Sequence, residues 1–223
     1  MKKVILAGNA ITAEILTEYL KKDNRYNIVA LTVDDEYADL NGIPEFDTIP
    51  LSMLSNQFDP HHHSVIMAMG YNDINRTREA MFQRLKEIGY PIETYVHPDA
   101  RVYTQYPIGE GSIVLPSTVI EPHVRIGSNT MIWANVTVGH HSTVEDHCWI
   151  ASDAVIAGQA TVKRNSFVGV NATVVNQVSV GEYCIIGAGA LITKNVKPSS
   201  VHLARSGEEL RYSSEDYVKF IGV

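Results

Sequence analysis

A chain of 223 residues, 45% of them hydrophobic, has the apolar content for one large or two small globular domains and needs no disulfide staples. Its 25 acidic residues outnumber its 18 basic ones, and the resulting net charge of −7 excludes nucleic acid as the main partner, because binding a phosphate backbone requires a basic surface. The start of the chain has no signal-peptide pattern and no apolar run reaches membrane-spanning length, so the expectation is a cytoplasmic protein without membrane insertion.

The first 95 residues alternate strand and helix patterns. Lys3 to Ala7 is a short apolar run. It is followed by the turn Gly8-Asn9-Ala10 and by Ile11, Ile15, Leu16 and Leu20 at helical spacing. Asn27 to Val33 predicts a second strand ending in Asp34-Asp35-Glu36, and Pro50 to Asn56 a short helix opened by its proline. Ser64 to Met69 predicts a third, buried strand that closes on Gly70-Tyr71-Asn72; the helix Ile74 to Ile88 and the strand Ile92 to Val96 follow. Such alternation predicts a small parallel, Rossmann-like sheet of doubly wound type as an N-terminal α/β domain, residues 1–95. Ligands of such sheets bind at the carboxyl ends of the strands. Those ends carry Gly8, Asn9, Ala10 and Thr12, then Asp34 and Asp35, then Gly70, Tyr71 and Asn72. Ile11 and Thr12 stand where a dinucleotide fingerprint has further glycines, so a mononucleotide is expected rather than NAD. His61-His62-His63 follows Asp59-Pro60 and is expected in a solvated loop, not at a metal.

From Val96 to Lys197 an aliphatic residue returns at every sixth position without an insertion, from Val96, Val102 and Ile108 through to Val180, Ile186 and Ile192. Four residues after each stands a second, usually small residue such as Ser112, Thr130, Ser142, Cys148, Ala160 or Cys184. No helix of period 3.6 keeps one face over that length at a spacing of six. A triangular parallel β-helix does, with three hexads to a coil, and this is the expected second domain, residues 96–197. Cys148 and Cys184 then lie two coils apart, roughly 10 Å, too far for a disulfide; they are expected as buried thiols in a reducing compartment. The tail, residues 198–223, has a short amphipathic pattern carrying Tyr217, Val218, Phe220 and Ile221, with Ser214 as its expected N-cap. It is expected to cap the open end of the β-helix.

Residues eighteen apart stack on one face, which turns spacing into columns. Asn129, His147 and Asn165 form one; Ser117, Asn135, Asp153 and Asn171 a second; His123, His141, Gln159 and Gln177 a third. Asn, Asp and Gly at corners are what turns demand. Histidine is not, and His123, His140, His141 and His147 fall close together. His140 has Gly158 one coil on, whose bare backbone leaves room for a ligand. A neutral imidazole accepts a proton near pH 7, and a free N–H one coil away meets a developing oxyanion, which together suit acyl transfer. A zinc site built from His123 and His141 is the competing chemistry, but no third histidine stands at a matching offset.

The hexads, the leading α/β domain and the segment Val138-Gly139-His140-His141-Ser142 together resemble the bacterial sugar acyltransferases of the sialic acid O-acetyltransferase type. That family includes the bacillosamine-pathway and perosamine N-acetyltransferases. The resemblance implies a homotrimer of left-handed β-helices that binds a nucleotide-linked amino sugar on the α/β domain and acetyl-CoA between neighbouring β-helices, with no metal. It places the general base on His140 and the thioester donor on Gly158, with His141 beside them as a third candidate catalytic residue. His141 stands where the bacillosamine enzyme has a glutamate that orients its base. Nucleotide contacts fall on Gly8, Asn9, Ala10, Thr12, Asp34, Asp35, Gly70, Tyr71 and Asn72, and CoA contacts on Gly158, Gly187, Ala188, Gly189 and Lys194. The expected activity is N-acetylation of an amino-deoxy sugar for surface glycan synthesis. Sugar O-acetylation and a non-catalytic trimeric nucleotide-sugar-binding module are the alternatives.

Overall fold

The structure is a computed structural model that describes residues 1–39 and 42–222. Its first part is a four-stranded parallel sheet of order β3-β2-β1-β4. The strands are β1 (Lys2–Ala7), β2 (Tyr26–Val33), β3 (Thr48–Pro50) and β4 (Ser64–Met67). Helix α1 (Ile11–Lys21) joins β1 to β2, while α2 (Leu54–Gln57) precedes β4 and α3 (Arg76–Ile88) follows it. The apolar β1 residues alternate between two cores. Val4 and Leu6 pack with α1, and Ile5 and Ala7 pack with Leu54, Met81, Phe82 and Leu85.

Two local expectations change. Thr48–Pro50 is a strand at the sheet edge, where the missing proline N–H is tolerated, and the helical turns begin only at Leu51. Helix α3 starts at Arg76 instead of Ile74, because Asp73, Ile74 and Asn75 all take left-handed backbone angles.

The rest of the chain winds as a three-faced parallel β-helix of two-residue strands. Tyr95–Val96, Ile113–Val114, Met131–Ile132, Trp149–Ile150, Phe167–Val168 and Ile185–Ile186 stack on the first face. The second runs from Arg101–Val102 to Leu191–Ile192, and the third from Arg125–Ile126 to Ser179–Val180. The hexad aliphatics point inward and fill one core, in which Val114, Val138, Ile150 and Val168 are wholly buried. Small residues four positions later close the corners; the Ser112, Thr118, Ser142 and Ser166 hydroxyls donate to main-chain carbonyls fifteen residues on. Between them, the third residue after each aliphatic takes φ near +60°, from Ser117 and His123 to Gln177 and Tyr183. The asparagines and histidines of the columns therefore all occupy one backbone position. Asparagine and histidine are both among the side chains enriched in that backbone region.

The last coil is two residues short. Val180 pairs with Val196 and Ile186 with His202, so Val196 takes an aliphatic position in place of the small one expected, and the stack continues into Val201–His202. The turn ends on Lys197-Pro198, where proline has no N–H to leave unpaired. Helix α4 (Ser214–Ile221) forms, capped by Ser213 and not by Ser214. Residues 203–222 are all exposed in the single chain, and among their large hydrophobic side chains Phe220 is the most exposed at 83%. An eight-residue helix has little stability without a packing partner, and the ring contact of α4 within the chain is Phe220 stacked on Tyr212, centroids 6.5 Å apart.

The α/β domain sits on the first face. Tyr95, Ile113, Met131 and Trp149 project outward from that face into the same core as Val4, Leu16 and Leu31. The start of α3 reaches the corner between third and first faces, where Arg78 donates to the Asn129 carbonyl at 2.7 Å and Glu79 accepts from Asn165 at 2.9 Å.

Candidate active site

At the carboxyl ends of β1 and β4 the structure forms a cleft of about 270 Å³ lined by Gly8, Asn9, Ala10, Asp34, Gly70 and Asn72, together with Tyr37, Thr77 and Met81. Gly8 has to be glycine: φ is +133°, and a Cβ would lie 2.4 Å from the Ala68 carbonyl oxygen. Ala10 precedes α1 and offers it no side-chain cap, so the first helical N–H groups stay available to an anion in the cleft.

Three of the nine residues expected there lie elsewhere. Thr12 is buried in the first turn of α1. Asp35 lines an adjoining, more open cleft of about 830 Å³ with Glu36, Ser52, Arg84 and Glu87, and Asp34 borders both. Hydrogen bonds from Ser52 hold the Asp35 carboxyl below its ordinary range. Tyr71 turns away and rests on the β-helix, its ring 4.7 Å from Phe167 and 5.1 Å from Trp149. Arg84 was not visible as a site residue in the sequence; from α3 it reaches across to pair with Asp34. Only the fold brings those two positions together.

His140 and Gly158 meet at the corner between second and third faces. Stacking of Thr137–Val138 on Val155–Ile156 sets them one coil apart, and a Cβ on Gly158 would lie 2.7 Å from His140 Nε2. The Gly158 N–H donates to no acceptor among the described residues. The neighbouring coils lose the same N–H to a carboxylate. Glu121 accepts the main-chain N–H of His140 at 2.7 Å, and Glu145 accepts that of Arg164 at 2.9 Å, both across nineteen residues. The residue at that offset from Gly158 is Gly139, which has no side chain to offer, and a Cβ there would lie 2.6 Å from Gly158 N.

His141 occupies the turn position beside His140, with its Nδ1 3.2 Å from His140 Nδ1. Its ring stacks on His123 at 4.5 Å, and Gln105 Nε2 donates to His123 Nδ1 at 2.7 Å. Lys194 falls on this same edge, further along the β-helix. Gly187, Ala188 and Gly189 do not: they form a turn between first and second faces, where Leu203 packs against Gly187. His147, fourth of the clustered histidines, belongs to the α3 interface, 3.5 Å from Glu79. His61, His62 and His63 lie on a turn after Asp59.

The repeat carries a family signature. The bacterial transferase hexapeptide family, described as six repeats, matches residues 108–140 and 160–194. The chain carries the hexapeptide repeat of bacterial transferases. Among curated proteins no relative matches it. Solved structures share the hexapeptide β-helix and the domain before it. A histidine-to-asparagine variant of perosamine N-acetyltransferase from Caulobacter crescentus, in complex with CoA and GDP-perosamine, superposes with a TM-score of 0.80 at 23% identity, covering 92% of this chain and 94% of that one. WeeI from Acinetobacter baumannii AYE gives 0.78 at 19% identity over 92% and 97%. The acetyltransferase domain of PglB from Neisseria gonorrhoeae FA1090, in complex with acetyl coenzyme A, gives 0.58 at 22% over 94% and 99%. The hexapeptide fold is the left-handed parallel β-helix that the resemblance implied.

Proposed function

We propose that this hexapeptide protein is an acetyl-CoA-dependent N-acetyltransferase acting on the amino group of a nucleotide-linked amino-deoxy sugar. The observation that carries the reading is the unpaired Gly158 N–H beside His140 Nε2. It puts a proton acceptor and an oxyanion donor side by side on the open corner of the coil. The sugar amine attacks the thioester carbon while His140 Nε2 takes its proton. Gly158 N–H receives the oxyanion of the tetrahedral intermediate, and its collapse expels CoA as the thiolate, which takes the proton from the His140 imidazolium to leave as the thiol. The neighbours crystallised with CoA, acetyl coenzyme A and GDP-perosamine support this choice of ligands.

The reading also calls for more than one copy. His140 stands at the corner between second and third faces, whereas the α/β domain covers the first. Six residues make a side of roughly 20 Å. The cleft at Gly8, Asp34 and Asn72 therefore serves the His140 of a neighbouring protomer in a homotrimer. Across such a junction the Gly187–Gly189 turn and Lys194 also face one groove and line CoA.

The test is CoA release from acetyl-CoA with GDP-, UDP- and dTDP-linked amino sugars and their hydroxy counterparts. Turnover confined to amino sugars and lost in His140→Ala supports the reading, and turnover of hydroxy sugars alone replaces it with O-acetylation. Binding of a nucleotide sugar with no acetyl-CoA consumption leaves only a binding module. Co-expressing His140→Ala with Asp34→Ala chains restores activity in mixed trimers if base and cleft come from different protomers.

A further inference from the structure

We propose that His141 is a positioning residue that holds His140 in the tautomer able to act as base, through a neutral imidazole–imidazole hydrogen bond where a carboxylate would be expected. The inference rests on the acyl-transfer reading above and deepens it.

A histidine base needs a lone pair on the nitrogen facing substrate, which fixes its proton on the other nitrogen. His140 Nε2 faces Gly158, so the proton belongs on Nδ1 and needs an acceptor there. No carboxylate among the described residues supplies it. The histidines that meet a carboxylate are His62, His97 and His147, and His140 is not among them. The nearest acid, Glu121, is engaged by the His140 main-chain N–H, as Glu145 is by that of Arg164 at the same offset, so its carboxylate serves the turn. The atom that meets His140 Nδ1 is His141 Nδ1 at 3.2 Å. For it to accept, His141 carries its own proton on Nε2.

Its orientation is supported from the coil before. The His141 ring lies at 34° to that of His123 with centroids 4.5 Å apart, and Gln105 donates to His123 Nδ1, which fixes that ring in turn. When His140 Nε2 takes the substrate proton, the Nδ1–H stays on His140 and its bond to His141 becomes charge-assisted. The titratable groups around the pair are Glu121 and His123; Gln159 and Gln177, further up the column, are neutral.

His141 has φ of +60°, so a purely structural role is the rival explanation. Glycine and asparagine both accept that backbone, and only asparagine brings an acceptor. His141→Gly is expected to turn over about tenfold more slowly than His141→Asn, the size of one neutral hydrogen bond, with the same KM values in both variants. His141→Asp is expected to stay active with the acidic limb of its pH–rate profile moved to higher pH, because a carboxylate favours the imidazolium. Equal kcat in the glycine and asparagine variants overturns the proposal. Long-range ¹H–¹⁵N spectra of the full-length protein, with His140 assigned from a His140→Gln variant, read the tautomer directly. Nδ1–H in the parent that is lost in His141→Gly supports the proposal, and Nε2–H in the parent overturns it. That readout needs no turnover, so it separates failure of the positioning role from failure of the acyl-transfer reading.

Discussion

Two corners of the β-helix share one backbone and have opposite fates. At the corner between third and first faces, Asn129, His147 and Asn165 take φ near +55°, and helix α3 covers them. Their polar atoms are largely taken up by protein partners: Asn129 and His147 bond to each other at 2.9 Å, and Glu79 meets both Asn165 and His147. At the corner between second and third faces, His123, His141, Gln159 and Gln177 have nearly the same φ and are exposed in the single chain. There His140 is exposed and the Gly158 N–H is unpaired. A repeat position has no function of its own. What packs over it decides whether its polar groups hold two domains together or face a substrate.

The sharpest way to break this contrast is to remove the group that distinguishes the open corner. His140→Ala is expected to lower kcat by about 10²–10⁴-fold, the usual range for a general base, while circular dichroism and oligomeric state stay unchanged. The same substitution at the covered corner, His147→Ala, is expected to lower stability and leave kcat near that of the parent. Next in size is Gly158→Ala. Its new Cβ would meet the His140 ring at 2.7 to 3.2 Å, and because the obstacle is the end of a flexible side chain, the ring moves and the coil stays. A displacement of this order costs about 10²-fold in turnover. Urea midpoints close to the parent's would confirm that the loss is positional.

Much of the contrast was legible in the hexads. Spacing alone gave the coil, its register and the columns, because inward aliphatics and left-handed corners recur with the geometry that demands them. It also paired His140 with Gly158. The cover over a column is a tertiary fact. Nothing local marks Glu79 as the partner of Asn165, eighty-six residues away, or Arg84 as the partner of Asp34. Tyr71 was expected in the cleft because it lies between Gly70 and Asn72, yet three successive left-handed residues after Asn72 accompany a loop whose ring rests on Trp149 and Phe167. The tail helix shows the reverse case. Its amphipathic pattern was visible, but a pattern states that a face needs covering and not what covers it.

At the covered corner, Glu79→Ala is expected to weaken the junction. It leaves the buried Asn165 amide and the His147 Nε2 without their acceptor, and orphaned buried donors cost about 1–3 kcal/mol. Arg164, about half exposed, adds little to that loss. The change should be read as a lower urea midpoint at fixed protein concentration, with kcat per folded protomer unchanged. A large fall in kcat with no change in midpoint would show that the two corners are not independent.

The smallest effect is one of pH, and it belongs to the covered corner. Burial holds the His147 imidazole below its ordinary range, and the pull of Glu79 and Asp146 in the other direction is the lesser influence. The folded protein therefore binds this proton less readily than the unfolded chain, whose histidine titrates near 6.5. Above about 6.5 both states are neutral and the group is silent. As pH falls through that value the unfolded state is protonated first, so stability declines toward the lower, folded value and levels off below it. Glutamine at 147 can accept from Asn129 and donate to Glu79 but does not titrate. The fall in urea midpoint between about pH 7.5 and about pH 5.5 should be shallower in His147→Gln than in the parent. Parallel curves for His147→Gln and the parent would mean that the covered histidine is not held neutral by the interface that buries it.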